Sequence, residues 1–376
     1  MIHSHRVLFA LVAWLALAGF AGAQPAPADI PQNIKTAAAI DNDAKEKIKA
    51  FVAAQFKRLV SPDPTADPQK SARDAREALA QAAKAGSQPA SPEYQAVYTD
   101  AVASEAKAAF AGAKVLRVKL NIAVAVARVA ENAPQTRLEP VIQMFLADGD
   151  CVPLQIWGIR ASRYIMPDLV KIGSGKGLID RILAIVKANP CTPLTEEAYE
   201  AFKPTADPKV LAAVVDPLLT IAELRIAKLQ AGYAEDPYLD YKAFSALAQI
   251  STWSPITTGQ RVRTMQLMAN VMTWASSRAD ERKGPIRDQL GVLINKSAGA
   301  LTVMASITAQ TSNDPTAGNL ASIAKAIYET SGGINVAGIN YTKLTQPILP
   351  AMQAIKEFSS VKVPDSASPM TGAGDE

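Results

Sequence analysis

Residues 138–154 read LEPVIQMFLADGDCVPL, and residues 178–194 read LIDRILAIVKANPCTPL. Both stretches end in nearly the same tetrapeptide, headed by Cys151 and Cys191, the two cysteines of the chain, 191 − 151 = 40 residues apart. Apolar positions coincide at the same step: Leu138 with Leu178, Ile142 with Ile182, Phe145 with Ile185, Leu146 with Val186. Spacings of four, three and one put these side chains on one helical face, so each stretch predicts a helix with one buried side. A turn holding the cysteine follows. Pro153 or Pro193 then suits the first turn of a second helix, where a missing amide costs nothing.

Upstream, KVLRVKLNIAVAVARVAEN (114–132) is apolar nearly all round and predicts a helix sandwiched between neighbours. Arg117, Lys119 and Arg128 leave too short an uncharged run for a membrane span. Downstream of Cys151, QIWGIRASRYIMPDLV (155–170) predicts the second helix of the first unit. A helix–turn–helix unit that recurs at about 40 residues is the signature of a helical repeat array. Over residues 113–193 the chain resembles HEAT-type repeat proteins in period and apolar spacing. That resemblance implies an all-α fold, an α-solenoid of stacked helical hairpins, and an extended surface suited to binding a protein or peptide. Beyond it, PKVLAAVVDPLLTIAELRIAKLQ (208–230) and TGQRVRTMQLMANVMTWASS (258–277) remain helical with irregular lengths. Nowhere does the clean apolar–polar alternation of a strand occur.

The N-terminus carries Arg6, an apolar run from Val7 to Phe20, and small residues at Ala21 and Ala23. This layout predicts a secretory signal cleaved after Ala23, with export to the periplasm or medium and no membrane span once it is gone. The expected organisation is signal 1–23, Pro/Ala-rich tether 24–35, N-terminal helices 36–112, repeat region 113–362 and a disordered tail 363–376. In the N-terminal helices, Ser91 suits a cap with Pro92 in the first turn, and Gly86 suits a helix stop. Two cysteines in an exported chain predict a Cys151–Cys191 disulfide, worth about 4 kcal/mol in the chain-entropy account.

Both histidines, His3 and His5, lie in the signal, so the mature chain contains none. Triads built on His are thereby excluded, and so are imidazole metal sites. The formal net charge is +4, with acids and bases interspersed, which points away from nucleic acid as a partner. No cofactor is expected. GSGKGL (173–178) lacks the Ser or Thr of a phosphate loop and reads as an inter-helix loop.

YAEDPYLDYKAF (233–244) gathers Glu235, Asp236 and Asp240 with Tyr233, Tyr238, Tyr241 and Phe244. Paired carboxylates beside aromatics are the materials of glycoside hydrolysis, while Asp236 before Pro237 equally suits a helix start. Met265, Met268 and Met272 form one helical stripe and read as core. Arg261, Arg263, Arg278, Arg282 and Arg287 read as a solvated face, with an anion-binding face as the rival. Trp157 reads as core between repeats, with Arg160 and Arg163 within reach of Asp148 or Asp150. Asn295 and Asn340 head glycosylation sequons.

The sequence therefore favours an exported, non-enzymatic interaction module, with Trp157, Arg160, Arg163, Tyr238 and Tyr241 as its surface. A helical-toroid glycan hydrolase using carboxylates at 235–240 is the alternative. A carrier of apolar ligands, suggested by the Ala-, Val- and Met-rich helices, is the second.

Overall fold

The computed structural model describes residues 29–61, 67–87, 89–149, 151–231, 248, 256–281, 285–312, 315–332 and 342–357. The expected signal, the expected tail, Tyr233–Phe244 and Asn340 all lie outside these residues. Among the described residues every regular element is helical, and the chain divides into two compact units, Met1–Val141 and Ile142–Glu376.

The first unit holds α1 (Gln32–Lys35), α2 (Asn42–Val60), α3 (Pro68–Ala82), α4 (Pro92–Gly112) and α5 (Leu116–Asn132). Side-chain caps start most of them. Asp41 accepts from the Ala44 amide, Asp67 from Gln69, and Ser91 from Tyr94 with Pro92 behind it. The four long helices close a ring in which α2 meets α3 and α4, and α5 meets α3 and α4.

The end of α3 is held from outside. The last four carbonyls of a helix have no intrahelical donor. Tyr98 Oη donates to the Leu79 carbonyl at 2.6 Å, Asn132 Nδ2 to Ala80 at 3.3 Å, and Tyr94 Oη to Ala82 at 2.7 Å. Gln81 receives the Lys84 amide at 3.1 Å, so all four are satisfied. Gly86, at φ +65°, then turns the chain away, as its sequence position suggests.

Two boundaries move. The expected tether reaches residue 35, yet Ile30 is only 3% exposed, Ile34 is buried, and Ser91 binds the Lys35 and Ala37 carbonyls at 2.9 and 2.6 Å. The Pro and Ala content had masked a pair of isoleucines spaced for burial. The expected repeat region begins at 113, but α5 packs within the N-terminal ring through Ile122, Val126 and Val129.

The unit boundary falls within α6 (Glu139–Ala147), preceded by a single 3₁₀ turn at Thr136–Leu138. The second unit continues with α7 (Val152–Lys171), α8 (Lys176–Ala188), α9 (Thr192–Ala201), α10 (Pro208–Gln230), α11 (Thr258–Glu281), α12 (Pro285–Ser312), α13 (Pro315–Gly332) and α14 (Thr342–Lys356). Cys151 and Cys191 occupy the N-cap positions of α7 and α9, each with proline in the first turn. The eight apolar positions matched at the 40-residue step are all buried. Helices α7 and α9 pack on each other, and so do α8 and α10. In both of these pairs a helix meets the next but one.

That order ends at α10. Helices α11, α12, α13 and α14 pack each on the next, and α14 returns to α11, closing a four-helix ring. Met265, Met268 and Met272 are buried inside it, as their stripe predicts. Asp288–Thr311 of α12 is long and apolar enough to cross a membrane, but 56% of that window is buried inside the fold, where α12 packs on α11 and α13.

Candidate functional site

The interaction surface expected from the sequence is described at Trp157, Arg160 and Arg163, all on α7; Tyr238 and Tyr241 lie outside the described residues. Arg160 stacks its guanidinium over the Trp157 ring at 4.4 Å, and Arg163 stacks over Tyr164 at 4.5 Å while donating to its hydroxyl. Trp157 is half-buried, so it keeps one part in the fold and shows another.

Arg160 does not turn to Asp148. Its Nε donates to Glu197 Oε1 at 2.9 Å, and Nη2 donates to the same oxygen. Glu197 belongs to α9, so the pair crosses between the two cysteine-headed helices. Its side chains are 35% and 11% exposed, and Glu197 Oε2 is buried without a partner among the described residues. The hydrogen bond to Glu197 raises the Arg160 pKa, against the opposing effect of burial.

The expected disulfide is not formed: Cys151 is a buried free thiol and Cys191 a half-buried one. Each cysteine heads its own helix. Packed helix axes stand about 8–10 Å apart, whereas a disulfide needs Cα atoms within about 7 Å. The two cysteine-headed helices pack on each other without joining the sulfurs.

GSGKGL proves to be a helix terminus. Gly173, at φ +81°, donates to the Val170 carbonyl at 3.0 Å, and Ser174 donates to Leu169 at 2.9 Å. This pair of bonds is the Schellman closure of α7. Arg261 and Arg263 belong neither to a solvated face nor to an anion site. Arg261 is buried, donating to Thr311 Oγ1 at 2.7 Å and the Ile256 carbonyl at 3.0 Å. Arg263 grips Glu223 of α10 through Nε at 2.5 Å and Nη2 at 2.6 Å. Asn295 donates its amide to the Tyr328 carbonyl at 3.0 Å and to Ser331 at 3.1 Å. The nitrogen that would carry a glycan is thus engaged in holding α12 to α13.

One further site has no motif in the sequence. In the first unit, a cleft of about 470 Å³ opens between the start of α3 and the start of α5, lined by Asp67, Lys70, Arg73, Arg76, Arg117 and Asn121 among others. Arg76 donates from Nη1 to Asn121 Oδ1, and its Nε is buried without a partner among the described residues. Burial lowers its pKa, and the charges of Arg128 and Arg73 lower it further. Arg128 is paired with Glu77 at 2.9 Å, and Arg73 has Asp74 at 3.8 Å. The available signal was KSARDAR (70–76) beside KVLRVK (114–119), two basic stretches whose meeting only tertiary packing determines. Compared with known proteins, the chain matches no protein family, no curated protein and no solved structure.

Proposed function

We propose that the chain is exported after cleavage behind Ala23 and acts without catalysis, as a helical module that binds a protein or peptide partner. The partner would lie along α7 and α9, with Trp157 and Arg160 at the centre of the contact. One observation carries this reading: a half-buried Trp stacked on an Arg that is itself tied to Glu197. Trp and Arg dominate the energetics of protein contacts. A side chain held in place before binding loses less conformational freedom on binding. Stacking of α7 on α9 and of α8 on α10 supports an α-solenoid reading of residues 139–230, a geometry that presents such a ridge to extended partners.

The test is affinity capture from the exported fraction of the source cells, using the mature chain beside its Trp157→Ala variant. A partner held by the native chain and lost by the variant is the expected result. Identical captured sets, with the variant folded by circular dichroism, overturn the proposal.

A further inference from the structure

The cleft between α3 and α5 is an open cationic groove, and its described lining residues do not balance that charge. Lys70, Arg73, Arg76 and Arg117 contribute four cations. The lining carboxylate, Asp67, already accepts the Gln69 amide at 2.8 Å as the cap of α3. Among the described residues, Lys70, Arg76 and Arg117 make no ion pair, and the Arg73–Asp74 contact, at 3.8 Å, joins adjacent residues on α3. Arg117 lies in the first turn of α5, which begins at Leu116 and whose N-cap residue, Val115, makes no side-chain cap hydrogen bond. The positive end of that helix dipole therefore adds to the same region.

Arg76 specifies the geometry. Its Nη1 is engaged with Asn121, which fixes the guanidinium plane and leaves the Nε and Nη2 edge, whose Nε lacks a partner. Two parallel donors on one edge match two oxygens of an oxyanion. A buried donor left unmatched, among like charges that lower its affinity for its own proton, is the situation that a bound anion relieves. At about 470 Å³ the cleft has the size of a small-molecule site, larger than a lone anion requires. Val115 and Leu116, immediately before Arg117, are 59% and 49% exposed, an apolar flank beside the charge.

We infer that this cleft binds a phosphoryl group through the free edge of Arg76, with Lys70, Arg73 and Arg117 neutralising its charge. The phosphoryl group belongs either to a soluble phosphomonoester or to a phospholipid headgroup, and the apolar flank gives the second source a physical rationale.

The experiment titrates the mature chain calorimetrically with inorganic phosphate, and by co-sedimentation with phosphatidylglycerol vesicles against phosphatidylcholine vesicles. Arg76→Gln and Arg117→Gln are run in parallel, with Lys187→Gln as a control for loss of one exposed cation elsewhere. Arg117 is exposed, so its replacement leaves the fold intact even if Arg76→Gln does not. Binding of phosphate weakened about tenfold in Arg117→Gln and unchanged in Lys187→Gln supports the site, the size expected for one charge-assisted hydrogen bond. Phosphate binding without vesicle binding assigns a soluble ester. Vesicle binding that requires phosphatidylglycerol and Arg117 assigns a headgroup. No binding of either probe, or equal loss in Arg117→Gln and Lys187→Gln, overturns the inference.

Discussion

Tyr94 and Tyr98 make the stability of the first unit depend on alkaline pH, in a direction the structure fixes. Both phenols are fully buried, stacked with centroids 5.6 Å apart, and donate to carbonyls at the end of α3. Burial raises both pKa values above the ordinary phenol value. In the unfolded chain each phenol loses its proton near pH 10, whereas the folded chain retains both. A raised folded pKa means that the contribution is complete below about pH 10 and is lost as pH rises beyond it. Each retained proton costs about 1.4 kcal/mol per pH unit, so the pair costs about 2.7 kcal/mol per unit. Against a typical stability of about 5–15 kcal/mol, that slope unfolds the unit within a few units.

The assay is urea unfolding of the protein and its Tyr94→Phe/Tyr98→Phe variant at several values from pH 7 upward. At pH 7 the variant should lose about 1 kcal/mol per missing hydrogen bond, since the Leu79 and Ala82 carbonyls lose their donors. Above pH 10 its stability should fall less steeply than that of the native chain, by the slope worked above, and the two curves should converge. Phenolate absorbance in the near ultraviolet should show two fewer groups ionising in step with unfolding. Parallel alkaline losses in the two proteins refute the reasoning, because the decline would then belong to lysines or other groups.

Three further outcomes follow from particular contacts. A Cβ on Gly158 would stand 2.7 Å from Leu146 Cδ2 and 3.3 Å from Phe145 Cβ, so Gly158→Ala should destabilise by about 1–2 kcal/mol net of its helix-propensity gain. Gly318, with nothing within 4 Å of that position, should instead gain about 0.5–1 kcal/mol on becoming Ala, and denaturant midpoints of the two variants shifting in the same direction refute the pair. Thiol titration should find Cys191 reacting in the native protein before the buried Cys151, and two thiols per chain after unfolding without reductant; fewer than two contradicts the free thiols. A double-mutant cycle on Arg160→Ala and Glu197→Ala should give a coupling of about 1 kcal/mol, and a coupling of zero would remove the preorganisation argument.

What the sequence disclosed about this fold is its local chemistry. Cys151 and Cys191 lie in the turns immediately before helices, and Pro153, Pro193 and Pro92 sit in first turns, because those positions depend on backbone only a few residues away. The methionine stripe is buried because period alone identifies a covered face. Period does not say what does the covering. Residues 114–132 read as an inner helix, and 116–132 form one, with Ile122 and Val126 buried as the helix packs on the other long helices of the N-terminal ring. Arg160 shows the same limit in charge. Asp148 is nearer along the chain, yet α9 brings Glu197 alongside α7. The basic cleft is the extreme case. Lys70, Arg73 and Arg76 look like the polar side of an ordinary helix, and Arg117 like a stray charge at the start of an apolar one. Their chemistry lies in their being together, enforced by the packing of α3 on α5, with Arg76 fixed by Asn121 across that contact. In this cleft the chemistry arises from ordinary side chains that helix packing brings to one place.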